Sequence, residues 1–293
     1  SLLNQGSVAW NDGQVSGSGS FTKQSGGTFT SLVISGRVFF PSFANQAGAT
    51  FTHSPPATVN SEFTGAFSNA GTVDCTTAST LLLSNGGSHT GSFTGTGSGT
   101  LGFGGGTHTF GTASTITTPY VYAGAGTITV DGAYNPTNHT TVAGGTITFN
   151  PAATVSGVGT GMTMNGVTAT FNSGEAISVQ SLSVGGGTLT GSDSFTVSGD
   201  GNAATTDFAW SGGTMSGTGT MTISPGATLT LNAAASGTKT LNRTLNNQGT
   251  ANWLSSTVSG TGAFNNQSGG TFTTQATGWG FSAPFNNQFG AIL

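Results

Sequence analysis

Charge is what this sequence has least of. Acidic and basic residues together make up 4 % of the 293-residue chain, whereas an ordinary soluble domain carries roughly 25 %. The bases are Lys23, Arg37, Lys239 and Arg243, and the formal net charge is -4. A nucleic-acid surface needs a basic stripe to neutralise phosphates, so nucleic acid is excluded as a partner. An anionic membrane surface is a poor partner for the same reason. With little repulsion to keep copies apart, self-association is the expected behaviour.

Other absences narrow the class further. The single cysteine, Cys75, excludes an intramolecular disulfide framework and cannot build a thiolate metal site alone. It reads as a small buried apolar residue. Proline is scarce, at 8 residues, and glycine does not fall at every third position, which excludes collagen. The longest apolar clusters, "TLLLS" and "GRVFFPSF", are too short to span a bilayer, so membrane insertion is not expected. The opening "SLLNQGSVAW" has no basic n-region, which predicts no signal peptide and a chain that is either processed or a piece of something longer. No stretch holds helical spacing over three turns, and glycine interrupts too often for one.

What is present is glycine, 51 residues of it, with threonine, serine, asparagine and alanine, and 20 phenylalanines spread along the chain. Those apolar residues argue against disorder, because a core can offset chain entropy. The phrase Gly-Gly-Thr-apolar-Thr, or a close variant, recurs as "SHT" at Ser88, "THT" at Thr107, "TIT" at Thr127 and Thr146, "VTA" at Val167, "TLT" at Thr188 and "TMS" at Thr214. Steps of about 19 to 26 residues lie in the solenoid range. Within each step, "GTITFNP" and "GTMTISPGATLTL" alternate apolar residues with Thr or Ser, the period of a strand with one buried face. The sequence therefore predicts an all-β fold, a parallel β-solenoid (β-helix) of about 14 coils in one domain over 1–293. The handedness is left open.

The two ends spell the same words. From Asn4 to Thr30 and from Asn247 to Thr273 the chain aligns with itself without a gap, about sixteen of twenty-seven positions being identical. The similar cassettes cover 3–51 and 246–293. Within them "LNQ", "ANQ" and "NNQ" place asparagine once per coil, either as an amide ladder along the axis or as ordinary turn residues. "FAWSGGTMSGTGTMTISPGATLTL", Phe208 to Leu231, resembles the Gly/Thr/Asn-rich repeats of bacterial extracellular β-solenoid proteins, among them adhesin and autotransporter passenger regions. The resemblance implies an architecture and an extracellular or cell-surface setting. It carries over no active residue.

Residues that could carry chemistry are few. The acids Asp12, Glu62, Asp74, Asp131, Glu175, Asp193, Asp200 and Asp207 are mostly a coil or more apart. The densest set, Asp193, Asp200 and Asp207, stands in "GSDSFTVSGDGNAATTDF", a turn-forming context with no nearby base. "SGDGNAATTD" has neither the acid spacing nor the repetition of a calcium loop. His89 and His108 are expected at equivalent places in successive coils, as neutral imidazoles in a ladder continued by Ile128, Ile147, Leu189 and Met215. Asn138, Asn242 and Asn266 stand in glycosylation sequons. No catalytic residue, metal ligand or cofactor is assigned, and no enzyme is expected.

Solenoids normally carry polar caps, and neither cassette has one. "APFNNQFGAIL" near the C-terminus tracks "FPSFANQAGATF" near the start with a one-residue slip. Like ends would let the last coil of one copy receive the first coil of the next, a heterologous contact that builds a fibre. The expectation is an extracellular structural protein assembling head to tail into filaments or a sheath. Its junction is assigned to Trp10, Phe21, Phe29, Trp253, Phe264, Phe272, Phe285 and Leu293. The alternatives are a surface adhesin, a solenoid whose Thr ranks bind ice or glycans, and a segment of one very long repeat protein with a superperiod of about 243 residues, the spacing of Asn4 and Asn247.

Overall fold

The computed structural model describes all residues except 57, 203, 204 and 233–236. The described residues form strands and turns and no helix. They divide into two compact units, Ser1–Gly159 and Thr160–Leu293. Each is a parallel β-solenoid, with about 13 turns between them against the roughly 14 expected from the repeat.

In the N-terminal unit an eight-stranded parallel sheet runs from Ser7–Trp10 to Thr154–Val155. Alternation explains it. Phe29, Phe51, Val73 and Phe93 stand in one register and are 0 to 2 % exposed, while Thr28, Thr50, Thr72 and Ser92 share the outward register beside them. A second wall stacks Leu2, Phe21, Phe43 and Phe67 in line. Within a column the rings lie nearly parallel, Phe21 on Phe43 at 3° and Phe43 on Phe67 at 11°. Between columns they meet edge to face, as with Phe43 and Phe51 at 5.5 Å and 81°. One coil could not bury these rings alone, so the stack is the unit of stability.

The C-terminal unit repeats the plan with different fillers. Its six-stranded sheet runs from Ala176–Val179 to Phe285–Asn287 and stacks Ile177, Phe195, Met221, Leu245, Phe264 and Phe285 in register. A facing wall stacks Val184, Trp210, Leu231 and Trp253.

The glycine beat has a steric cause. Gly106 and Gly126 occupy the same corner of successive coils at φ 72° and 82°. A Cβ on Gly126 would lie 2.3 Å from the Gly106 carbonyl oxygen, so that corner closes only around glycine. Gly187 and Gly213 make the equivalent corner in the C-terminal unit, where a Cβ on Gly187 would lie 1.9 Å from the Val167 carbonyl oxygen.

Both asparagine readings were open in the sequence, and the ladder is what forms. Asn45 Nδ2 donates to Asn69 Oδ1 at 2.8 Å in the N-terminal unit. In the C-terminal unit Asn247 donates to Asn266 and Asn266 to Asn287, each at 2.8 Å. A second, outer row links Asn286 to Asn265 and Asn265 to Asn246, each at 2.9 Å. Asn266 is 0 % exposed, so its sequon is closed to a glycan in the folded chain.

The histidine register differs from the expectation. His89 pairs with Asn69 below and Phe110 above, while His108 pairs with Gly87 and Ile128. The two are therefore offset by two residues along the strand, a slip that keeps both on the inward face because the side-chain period is two. They still touch: His89 Nε2 lies 3.1 Å from His108 Nδ1, and the rings stack at 5.4 Å and 11°. His108 Nε2 reaches the Gly105 carbonyl at 3.2 Å. Burial pushes the pKa down to about 3 for His89 and about 4 for His108.

Candidate stacking faces

The cassettes share geometry as well as spelling. Trp10 Nε1 donates to the Gly13 carbonyl at 2.7 Å, and Trp253 Nε1 donates to the Ser256 carbonyl at 2.9 Å. Gly13 and Ser256 occupy matching positions at φ 81° and 76°, so Ser256 accepts a left-handed conformation that glycine takes without strain. Val15 bridges Phe39 in one unit, and Val258 bridges Phe281 in the other.

The eight residues assigned to the junction fall into two sets. Trp10, Phe21 and Phe29 belong to the N-terminal unit and are 5, 8 and 2 % exposed. Phe21 meets Phe29 edge to face at 5.5 Å and forms one side of an apolar hollow of about 270 Å³ with Leu2, Val15 and Phe39. Trp253, Phe264 and Phe272 of the C-terminal unit are 9, 0 and 6 % exposed. Phe272, Phe285 and Leu293 line a second hollow of about 250 Å³ together with Phe281. Trp10, Phe29, Trp253 and Phe264 line neither hollow and pack into the cores behind them.

Leu2 and Leu3 are 56 and 62 % exposed, and Phe289, Ile292 and Leu293 are 101, 60 and 77 % exposed. The sequence reading missed Leu2, Phe39 and Phe281 as lining residues. The one-residue slip between the closing and opening words held the signal, because it brings Phe281 onto Phe39 as it brings Phe285 onto Phe43.

Three of the four bases lie inside the coils. Lys23 is 0 % exposed and donates to the Asn4 side-chain oxygen and the Gly6 carbonyl. It fills the ladder position that Asn266 holds in the other cassette, and desolvation lowers its pKa. Lys239, also 0 % exposed, donates to Ser256 Oγ at 3.0 Å, and burial lowers its pKa to about 8. Arg243 is 2 % exposed and donates to the Gly219 and Asp193 carbonyls, each at 2.8 Å. Desolvation lowers its pKa to about 10, with Asp193 opposing the shift. The remaining base, Arg37, pairs with Asp12 at 2.6 Å on the surface.

The partner of the Lys239 ammonium group is a neutral hydroxyl, so the coil carries the desolvation cost of a buried charge. Lys239→Met is expected to raise the stability of the C-terminal unit by about 1 to 3 kcal/mol in urea melts at pH 7. In the native protein the same cost is relieved at alkaline pH. The folded pKa lies below the unfolded value near 10.5, so stability should rise with pH between about 8 and 10.5, and the Met variant should lose that rise.

The densest acids, Asp193, Asp200 and Asp207, act as turn caps. Asp193 accepts from the Ser173 and Gly174 amides at 2.9 and 2.8 Å, and Asp207 accepts from the Asp200 and Thr228 amides at 3.1 and 2.8 Å. Asp200 accepts from the Asn202 amide at 2.8 Å. Ala203 and Ala204 of the "SGDGNAATTD" stretch lie outside the described residues. Among the described residues no group of three or more His, Cys, Asp or Glu is placed to hold a metal ion. Cys75 is buried, and burial pushes its thiol pKa up to about 12, which keeps it protonated and unreactive. No protein-family model matches the chain, and neither a curated protein nor a solved structure matches it.

Proposed function

We propose that the protein is a structural β-solenoid that works by stacking on further copies of itself, head to tail, as the repeating unit of an extracellular filament or sheath. The observation that carries the reading is the chemistry of the two cassette ladders. In the C-terminal unit one column runs Leu245, Phe264, Phe285 and another runs Asn247, Asn266, Asn287. In the N-terminal unit the matching columns run Leu2, Phe21, Phe43, Phe67 and Asn4, Lys23, Asn45, Asn69. A second copy's Leu2 over Phe285 and its Asn4 over Asn287 would continue both columns without a change of residue class. The apolar hollows at Phe21 and Phe285 would then be filled as each inner coil already is.

The extracellular setting rests on the resemblance to secreted solenoid repeats and on a surface almost free of charge. Association through burial and backbone pairing should persist in salt, because neither is screened. Sedimentation velocity tests the reading. The native protein should form a concentration-dependent series of polymers, and Phe285→Asp, which places a charge in the junction, should leave monomer at the same concentration. A Phe285→Asp variant that polymerises like the native protein would overturn the junction. Polymers dissolved by dilute salt would overturn its apolar character.

A further inference from the structure

On the eight-stranded sheet of the N-terminal unit an outward column is spelled with Thr and Ser alone: Thr28, Thr50, Thr72, Ser92, Thr115. One face departs from this. There the outward column reads Val38, Glu62, Leu82, Gly102, Tyr122, Thr141, each paired with the next. Beside it runs Thr80, Thr100, Tyr120, His139. A solenoid that only has to solvate a strand face needs no tyrosine or leucine there. Two of the chain's 3 tyrosines nevertheless stand side by side on it, and Tyr122 is 39 % exposed.

The departure builds a groove. One hollow of about 370 Å³ is walled by Tyr120, Tyr122, Thr80 and Thr100, and a second of about 270 Å³ is bounded by Arg37, Val38 and Glu62. They share Asn60 and Leu82, so they form one trough running along the stacking direction. Five coil steps of about 4.8 Å make it roughly 24 Å long, enough for several sugar rings in an extended chain. Gly102 sets the floor: a Cβ there would stand 2.8 Å from Thr80 Cγ2 and 3.0 Å from Leu82 Cδ1. The Tyr122 ring lies down over Gly124, whose Cβ would come within 2.6 Å of the ring edge and 3.2 Å of its hydroxyl. One side of the ring is therefore braced on backbone while part of it stays open to solvent.

A braced, open aromatic flanked by hydroxyls suits a ligand that is apolar on its ring faces and polar around its rim, which is a pyranose. Charge selects within that class. The Arg37 guanidinium is held by Asp12 at 2.6 Å, and Glu62 accepts from Ser84 Oγ at 2.7 Å in the same trough. Burial lowers the pKa of His139, which favours the neutral imidazole. An anionic chain would meet a carboxylate and no cation free to answer it.

We infer that this trough binds an extended neutral polysaccharide, with Tyr122 and Tyr120 as stacking platforms and Thr80, Thr100 and Asn60 as hydrogen-bonding groups. The assignment is independent of head-to-tail assembly, since every residue it uses lies on an outward face of the N-terminal unit. The test is calorimetric titration of the full chain with cello-, xylo-, manno- and laminari-hexaose, and with oligogalacturonate as the anionic probe. At least one neutral hexaose should bind, and Tyr122→Ala should weaken it tenfold or more while the melting temperature stays unchanged. Tyr122→Trp should retain binding, and Gly102→Phe, which fills the floor, should abolish it. No heat with any neutral hexaose, equal binding by Tyr122→Ala, or a preference for oligogalacturonate would each overturn the inference.

Discussion

Acidification from about pH 6.5 to pH 4 is expected to strip the N-terminal unit of most of its stability. His53, His89 and His108 are each 0 % exposed. Desolvation pushes the first two down to about 3 and the third to about 4, with the neighbouring imidazole adding to the shift at His89. In the unfolded chain all three titrate near 6.5. Below that pH the unfolded state takes up protons that the folded state refuses, so the equilibrium moves toward unfolding as pH falls.

Each histidine contributes a slope of about 1.4 kcal/mol per pH unit, or roughly 4 kcal/mol for the three together. Above about pH 6.5 the contribution is complete and flat. It is lost progressively down to the folded pKa values. The total available to a domain is only about 5 to 15 kcal/mol, so two units of pH decide whether the unit stays folded. Urea melts followed by circular dichroism between pH 7.5 and 4 check this. A double replacement of His89 and His108 by Asn and Leu should flatten the slope to about a third. A melting midpoint that does not move between pH 7 and 4.5 would show that these imidazoles are not buried neutral groups.

Phe43→Ala is the second large effect. The ring is 1 % exposed and touches six others, Phe21, Phe29, Phe39, Phe51, Phe63 and Phe67, at centroid distances of 5.1 to 5.8 Å. Removing it opens a cavity in a core that cannot collapse, because the backbone around it is fixed by ladder hydrogen bonds above and below. A loss of about 3 to 5 kcal/mol is expected, near the top of the range for a single phenylalanine. Phe43→Leu should recover roughly half of it. An outward residue of the neighbouring sheet gives the control: Thr30→Ala, beside Phe29 on its strand, should change stability by less than about 0.5 kcal/mol. If Phe43→Ala and Thr30→Ala cost the same, the stacked-ring core is wrong.

The architecture was legible because its causes are local and repeated. Alternation in "GTFT" and "GTITF" fixes which residues face inward, and the glycine beat marks corners such as Gly106 and Gly126 where a coil below leaves no room for a Cβ. The likeness of the end cassettes was legible as an ungapped alignment, and the structure adds that Trp10 and Trp253 donate to matching turns. Three things were not. The His89 register was misplaced by two residues because the matching "SHT" and "THT" words do not mark equivalent positions: Leu83 pairs with Phe103 but Gly87 pairs with His108, so the upper coil holds one more residue between those points. The fate of Lys23, Lys239 and Arg243 was unreadable, since a base inside a coil of polar spelling looks in sequence like one on its surface. The trough was missed because its residues come from successive coils and meet only once the register is known.

Electron microscopy of the purified protein across a range of salt tests the stacking account most directly. Unbranched filaments whose width is that of one coil, and which persist from low salt to molar salt, are the expected result. Single, evenly sized particles at every salt and protein concentration would contradict it.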